Sequence, residues 1–279
     1  MAKHILYAAA PEWSAIADRI EELLDGRGFD QIKATTRTRA GFLTHEGHEA
    51  FVKRVDTGGY LKGLSARLIG SRARRAWRGA AILAAGGFHH PAPLLIIEDR
   101  TAGAIRTSYI LTVPLRSAQV LSAVVIGRRR SLLLRKSASQ QVAREIRRLH
   151  DAGIYTRDMQ ETNLMIENRD GQFPLFFVDF EDFRRVRTVS MRRRMINLVH
   201  LDRSIGRFAP RAHRLRFFYN YFGNGLTRAE RRRLLRQYQA ARTRIERGAT
   251  TMERHEQPID PARGSKFNPA LSSVAARRK

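Results

Sequence analysis

One segment, residues 149–183, constrains the fold of this chain more than any other. It reads LHDAGIYTRDMQETNLMIENRDGQFPLFFVDFEDF. Directly upstream, the apolar residues Val142, Ile146 and Leu149 recur at the spacing of one helix face, and Gly153 follows as a typical C-terminal stop. The pattern therefore predicts a helix that leads into a polar loop.

A β-hairpin is predicted directly after this loop. Two short apolar runs, 163–166 and 175–178, are separated by the polar turn 168–171, Asn-Arg-Asp-Gly. A hairpin returns the chain close to the point where it began. Asp179 is therefore expected beside Asn163.

The polar residues of this helix, loop and hairpin resemble the catalytic core of a protein-kinase-like phosphotransferase. In the run Arg157–Asn163, of the form R-D-x-x-x-x-N, an Asp and an Asn lie on one loop as they do in kinase catalytic loops. The resemblance implies that Asp158 is the base that accepts the proton of the acceptor hydroxyl. It also implies that Asn163 and Asp179 bind Mg²⁺, which prefers oxygen ligands. Either short motif alone could be a chance match, but their order along the chain favours the catalytic interpretation.

The wider pattern is similar to one particular family, the bacterial lipopolysaccharide core kinases. The similarity extends from about Ile32 to Tyr238 and is strongest between Leu149 and Tyr221. It includes the runs NLVHLDRS at 197–204 and RLRFFYNY at 214–221. The resemblance implies an ATP-dependent phosphotransferase with an alcohol group as acceptor. Its acceptor would be a heptose or Kdo hydroxyl of the lipopolysaccharide inner core.

The same resemblance implies an α+β, protein-kinase-like two-lobed fold. A small antiparallel β N-lobe with one main helix is expected at residues 32–113, and a larger, mainly α C-lobe at 114–247. Residues 1–31 would form an N-terminal extension with an added helix near 18–24. Residues 248–279, rich in Pro and small polar residues, are expected to be a disordered basic tail.

A candidate nucleotide-binding residue lies in the run 49–55, EAFVKRV, whose alternation is typical of a β-strand. In the family resemblance, Lys53 matches the third-strand Lys that binds the α- and β-phosphates of ATP. An isolated strand Lys would more simply be a solvated edge residue, so this role depends on the downstream motif. In the same layout, residues 112–115 would be the hinge that meets the adenine.

The chain departs from the family pattern where a helix Glu normally pairs with this Lys. The helix-like stretch from about Leu64 to Ala85 contains no acidic residue, and Ala76 stands where family members typically have Glu. Glu98 and Asp99, which follow this helix-like stretch in the sequence, are alternative partners for Lys53. The missing Glu keeps open a second interpretation, a pseudokinase-like scaffold that binds anionic surfaces.

Three further departures lie in the catalytic segment itself. Thr156 replaces the His that usually precedes the Arg-Asp pair. Gln160 replaces the Lys often found two residues after the base, and Glu181 replaces the Gly that follows Asp-Phe in most protein kinases. An acidic or polar residue at this last position is usual in the family. These replacements leave the reaction class that the pattern indicates unchanged.

The net charge of +26 at pH 7 is a second feature of the sequence that needs a functional explanation. The tail 248–279 holds only six basic and three acidic residues, so most of this charge belongs to the folded body. Arg predominates, and its planar guanidinium suits bidentate contacts with phosphate and carboxylate. We expect an anionic partner, either a glycolipid acceptor or the acidic face of the inner membrane, although a merely solvated basic surface would need none. The arginines of 184–194 follow Asp179 directly and are expected to help hold the anionic sugar or its membrane.

Other classes of protein are disfavoured by what the sequence lacks. It has no helix-turn-helix, zinc-finger, RRM-like or KH-like signature, so no nucleic acid is expected as a partner. It has no Cys and therefore no disulfide framework or thiolate metal site. No run reaches the roughly 18 apolar residues that a membrane helix needs. We therefore expect a cytoplasmic protein, peripheral on the cytoplasmic face of the inner membrane. A kinase of the same fold with a protein or small-molecule acceptor is the close alternative.

Overall fold

The computed structural model describes residues 2–126, 132–223 and 225–253. Most of the expected basic tail, residues 254–279, lies outside the described residues. No helix within the described ranges is both long and apolar enough to cross a bilayer.

The described residues divide into two compact units. Unit 1 contains residues 2–81 and 91–116, and unit 2 contains residues 82–90 and 117–253. Unit 1 is built on a large sheet, whereas unit 2 is mainly helical.

Unit 1 is organised around one antiparallel sheet. Its strands are β1 (Ala2–Ala8), β2 (Phe29–Ala34), β3 (Thr38–His45), β4 (His48–Asp56), β5 (Pro93–Thr101) and β6 (Ala104–Thr112). They lie in the order β1-β5-β6-β4-β3-β2. The turn between β3 and β4 consists of Glu46 and Gly47, both with positive φ, which suits the twist of a tight hairpin. Strand β4, which carries Lys53, is therefore an interior strand rather than an edge strand.

The N-terminal extension is part of this unit. Strand β1 pairs with β5 and adds an edge to the sheet. Two short helices follow, α1 (Pro11–Ala15) and α2 (Ile20–Asp25), the second of which matches the helix expected near 18–24. Trp13, Ile20 and Leu24 from these helices are buried in one core with apolar residues of β3 to β6. Each fully buried Ile or Leu contributes roughly 1.5–3 kcal/mol before the entropy of ordering is subtracted.

Two helices lie between β4 and β5, namely α3 (Tyr60–Ile69) and α4 (Arg72–Ala85). The sequence predicted one helix-like stretch from about Leu64 to Ala85, and this prediction is wrong. The first helix ends at Gly70, whose φ of +107° lies outside the helical region. A second helix then begins with its own N-cap.

The helices of unit 2 are α5 (Leu121–Ile126), α6 (Leu132–Asp151), α7 (Met191–Ile205), α8 (Arg211–Phe222) and α9 (Arg228–Glu253). Helix α6 is the helix predicted to lead into the polar loop, and its Val142, Ile146 and Leu149 are fully buried. Before α9, Thr227 and Glu230 exchange hydrogen bonds as a capping box. Because α9 continues to Glu253, the tail expected from residue 248 begins inside this helix.

Short strands connect these helices. They are β7 (Gln119–Val120), β8 (Ile154–Thr156), β9 (Leu164–Ile166), β10 (Leu175–Phe177) and β11 (Phe183–Arg185). Strands β10, β9 and β7 form one small sheet, and β11 pairs with β8. The β9–β10 pair confirms the predicted hairpin, with Phe177 opposite Leu164. Asp170 and Gly171 provide the positive φ angles of its turn.

Candidate active site

The loop between β8 and β9 carries the residue expected to be the catalytic base. Thr156, at the end of β8, is buried, and its Oγ1 accepts a hydrogen bond from the backbone N–H of Asp158 at 3.1 Å. A Thr hydroxyl that binds the N–H two residues later bends the chain locally. The residue that replaces the usual His therefore fixes the backbone of Asp158.

Two side-chain amides hold the carboxylate of Asp158. Asn163 Nδ2 donates to Asp158 Oδ2 at 3.0 Å and to the Asp158 carbonyl oxygen at 3.1 Å. Gln160 Nε2 donates to Oδ1 of the same carboxylate. Gln160, which stands in place of a Lys, therefore supplies a neutral donor that orients Asp158. The half-buried carboxylate is fixed through both oxygens, as a positioned base must be.

A buried network supports this loop from behind. Asn197 Nδ2, on α7, donates to the carbonyl oxygen of Thr156 at 2.8 Å. Asn197 Oδ1 lies 3.0 Å from Nε2 of His150, and His150 Nδ1 lies 2.7 Å from the hydroxyl of Tyr221 on α8. Three helices thus meet beneath the strand that ends two residues before Asp158. The sequence interpretation missed these residues, and the LHD run that opens the catalytic segment was the only local signal for His150.

His150 is neutral in this network. Its ring is fully buried, and burial lowers its pKa to about 4, although the hydrogen bond with Asn197 opposes this; the charge of Arg194 lowers the pKa further and that of Asp151 raises it. Because Asn197 Oδ1 can only accept, Nε2 of His150 carries the proton and donates to it. Nδ1 then accepts from the Tyr221 hydroxyl. Every polar atom of the ring has a partner, which is what a buried imidazole requires.

The β9–β10 hairpin places Asp179 near Asn163. The backbone N–H of Val178 donates to the Asn163 carbonyl oxygen at 3.0 Å, and Asp179 is the next residue. Asp179 has φ 55° and ψ 55°, a left-handed conformation that a residue other than Gly rarely adopts. The side chain is exposed, so it can reach a ligand.

Asn163 and Asp179 fit the donor set of a magnesium site. With Asn163 Nδ2 bound to Asp158, the Oδ1 atom is the one that could bind a cation, and Asp179 adds a carboxylate. Mg²⁺ binds such hard oxygen atoms and usually takes only one or two protein ligands, with waters and phosphates completing its shell. No cluster of three His, Cys, Asp or Glu side chains able to hold a metal occurs in the described ranges.

Lys53 lies in unit 1, at the centre of β4. It stands opposite Ala40 of β3 and Ile110 of β6 and is half-buried. In α4, Ala76 is fully buried, so the position of the usual helix Glu is filled by a methyl group. The structure thus places Asp158, Asn163 and Asp179 in unit 2 and Lys53 in unit 1.

A different carboxylate anchors α4. Glu98, fully buried on β5, accepts hydrogen bonds from the Ser71 hydroxyl, from Arg74 Nε at 3.1 Å and from Arg100 at 2.5 and 3.1 Å. Ser71 is also the N-cap of α4, since its Oγ accepts from Arg74 N–H at 2.9 Å. Burial alone would raise the pKa of Glu98, but the hydrogen bonds from Ser71 and Arg100 outweigh it and lower the pKa. For its neighbour Asp99, burial is the main effect and raises the pKa.

Several arginines of 184–194 have structural contacts. Arg194 is largely buried and donates to Asp151 at 2.7 Å, to the Tyr221 hydroxyl at 3.3 Å and to the Val189 carbonyl oxygen at 3.1 Å. The exposed arginines of this segment are instead Arg185, Arg187, Arg192 and Arg193. In the segment expected to hold an anion, some arginines are therefore exposed to solvent, whereas Arg194 stabilises the network around His150.

The C-terminal half of α7 also lies against the catalytic loop. Ser204 Oγ accepts from the N–H of Glu161 at 3.0 Å, and Arg207 lies 3.9 Å from the Glu161 carboxylate. Burial raises the pKa of Glu161, and Arg207 opposes this. Burial lowers the pKa of His200, and the charge of Asp158 opposes it. Arg207, just after this helix, thus lies close to Glu161 of the loop, and His200 on the helix lies close enough to Asp158 to interact with its charge.

The sequence matches a known family model, and the fold matches a solved structure. The model of the Lipopolysaccharide kinase (Kdo/WaaP) family matches residues 30–247. A solved structure described as WaaP in complex with acyl carrier protein has a TM-score of 0.61 and 20% sequence identity, and the match covers 91% of this chain and 100% of that one. No curated protein matches the sequence. The structural likeness confirms the expected α+β, protein-kinase-like fold.

Proposed function

The chain belongs to the Lipopolysaccharide kinase (Kdo/WaaP) family, and from this premise we propose that it transfers the γ-phosphate of ATP to a sugar hydroxyl of the lipopolysaccharide inner core. As a member of that family it is a phosphotransferase with an alcohol group as acceptor. The observation that carries the proposal is the fixed carboxylate of Asp158, held by Asn163 and Gln160.

Asp158 is the base in this proposal. Its carboxylate accepts the proton of the attacking sugar hydroxyl, and the two amides that bind it fix the direction from which the hydroxyl approaches. A positioned base of this kind accelerates a reaction by about 10²–10⁴-fold. Thr156 and the Asn197–His150 pair keep the backbone beneath it in place.

Asn163 and Asp179 would hold magnesium through one amide oxygen and one carboxylate. Bound there, the ion would neutralise charge on the nucleotide phosphates. The left-handed backbone of Asp179 and the hydrogen bond from Asn163 to Asp158 keep these two donors in a fixed arrangement. Lys53, in turn, would bind the α- and β-phosphates of ATP through its ammonium group.

The proposed acceptor is anionic, because the described surface near the base is basic. Arg203 and Arg207 lie on or just after the half of α7 that contacts the catalytic loop. Guanidinium groups suit the carboxylate of Kdo and the phosphates of the inner core. An acceptor embedded in a membrane also accounts for the net charge of +26, since acidic lipids attract basic proteins to the bilayer surface. We therefore propose a protein that is peripheral on the cytoplasmic face of the inner membrane.

The direct test supplies the purified protein with labelled ATP, magnesium and deacylated inner-core oligosaccharide, followed by mass spectrometry of the sugar. We expect one phosphate to be added to a heptose or Kdo hydroxyl. Label that appears only in added proteins or small molecules would instead support a kinase of the same fold with another acceptor.

One observation favours a second candidate, the pseudokinase-like scaffold: the buried Ala76 at the position of the usual helix Glu. A thermal-shift titration separates the two functions. Stabilisation by ATP with magnesium is expected for the kinase. The absence of any shift at millimolar nucleotide would favour the scaffold.

A further inference from the structure

Helix α3 exposes large apolar side chains to an unusual degree. Leu61 is 81% exposed, Leu68 is 89% exposed and Ile69 is 78% exposed. The other large apolar side chains that count as exposed in the described chain range only from 39% to 48%. Contiguous exposed apolar residues on a folded protein usually mark an interaction surface.

The orientation of α3 on the sheet fixes this exposure. Gly63 faces β6 so closely that a Cβ atom there would lie 2.4 Å from the Ile105 carbonyl oxygen. Leu61 and Leu68 are about two helical turns apart, so they lie on one side of the helix, opposite Gly63. The Tyr60 hydroxyl also donates to the Ala102 carbonyl oxygen at 3.2 Å. Because the helix is attached on its Gly63 side, the leucines point away from the sheet.

The apolar stripe, which we define as Leu61, Leu68 and Ile69, lies on a helix whose charged residues are all basic. At 100° per residue, Lys62 lies beside Ile69 at the edge of the stripe, whereas Arg67 lies about 100° from Leu68, nearer the Gly63 side of the helix. Both are exposed, and Arg67 donates to the Gly103 carbonyl oxygen at 3.3 Å. Helix α3 contains no acidic residue. The charged side chains of α3, Lys62 and Arg67, are therefore both positive.

We propose that α3 is the surface by which this protein binds an anionic lipid bilayer. This inference rests on the proposed function, in which the acceptor is a glycolipid of a membrane. The stripe inserts among the acyl chains near the headgroups, while Lys62 and Arg67 contact lipid phosphates. Short amphipathic helices with apolar and basic faces bind membranes in this way. A stable protein partner would instead need roughly 1,000 Å² of complementary interface, more than a convex helix of this length offers.

The binding test is flotation of the full chain with vesicles that contain phosphatidylglycerol, compared with vesicles of phosphatidylcholine alone. The wild type should float with the anionic vesicles and less with the neutral ones. The L61S/L68S double variant should lose about tenfold or more in affinity. Met191→Ser, which removes a 40% exposed apolar side chain from α7, is the matched control and should float like the wild type.

Two outcomes overturn the proposal. The first is that L61S/L68S floats as well as the wild type. The second is that light scattering finds a dimer for the wild type and a monomer for the variant, which would mean that the stripe binds a second copy of the chain. Because the leucines are exposed, the variant should unfold at the same urea concentration as the wild type.

A kinetic comparison separates this inference from the proposed function. L61S/L68S should keep the wild-type kcat/KM on deacylated core oligosaccharide and raise KM about tenfold on lipopolysaccharide embedded in vesicles. An equal loss on both acceptors would count against membrane binding by α3. If the wild type floats through α3 and phosphorylates neither acceptor, the proposed function fails and the membrane-binding surface stands.

Discussion

Protonation of His150 should weaken the network behind the catalytic loop. Its pKa is lowered to about 4, against an ordinary value near 6.5 in the unfolded chain. A depressed pKa in the folded state means that the unfolded chain binds a proton first as the pH falls. The stability that the folded protein gains from keeping His150 neutral is therefore complete above pH 6.5 and is lost progressively between pH 6.5 and about 4.

The size of this effect follows from the difference in pKa. At about 1.4 kcal/mol per pKa unit, the full loss is about 3 kcal/mol, of which roughly 2 kcal/mol should be lost between pH 7 and 4.5. The charged groups near the ring do not cancel it, because Arg194 lowers the pKa and Asp151 raises it, while burial dominates.

Urea unfolding at a series of pH values, followed by circular dichroism, measures this dependence. His150→Gln removes the titrating group, so between pH 7 and 4.5 its free energy of unfolding should fall by roughly 2 kcal/mol less than that of the wild type. The lost hydrogen bonds should lower the free energy of unfolding by about 1–2 kcal/mol at every pH. His213→Gln, which changes an exposed His on α8, should keep the wild-type curve. An undiminished pH dependence in His150→Gln would show that His150 does not cause this loss of stability.

Three further predictions concern the base, the anchor of α4 and the metal ligands. Thr156→Val removes the acceptor of the Asp158 N–H and should lower kcat about tenfold with little change in the KM for ATP, by steady-state kinetics; an unchanged kcat would contradict this role. Glu98→Gln should destabilise the protein by about 2 kcal/mol in urea, because the partly exposed guanidinium groups of Arg74 and Arg100 lose the buried carboxylate that accepts their hydrogen bonds. Glu22→Gln, which breaks an exposed pair with an arginine, should change the urea stability much less, and equal losses for the two variants would argue against the anchor. Asp179→Ala should abolish the magnesium-dependent part of the thermal shift caused by ATP, and a retained magnesium effect would remove this residue from the metal site.

The parts of the site that the sequence predicted are those formed by neighbouring residues. Asp158 and Asn163 are five residues apart, and their hydrogen bond follows from the path of one loop. The hairpin that returns Asp179 was also readable, because its two apolar runs and polar turn are contiguous. Local patterns of this kind specify short-range geometry directly.

The parts that were missed depend on contacts between distant residues. His150 meets Asn197 and Tyr221 across 47 and 71 residues, and no spacing rule relates them. Glu98 binds Ser71 across 27 residues, so the anchor of α4 could not be read from the helix sequence. The break at Gly70 was overlooked for a different reason, since the apolar residues on either side continue the helical periodicity.

The most direct test of the central claim is phosphate transfer by Asp158→Ala. The substitution removes the carboxylate that Asn163 and Gln160 hold, without removing any proposed ligand of the nucleotide or the metal. Transfer to inner-core oligosaccharide should fall by about 10²-fold or more, while urea stability and the thermal shift with ATP and magnesium should stay close to wild type. Turnover at the wild-type rate in this variant would contradict the assignment of Asp158 as the base.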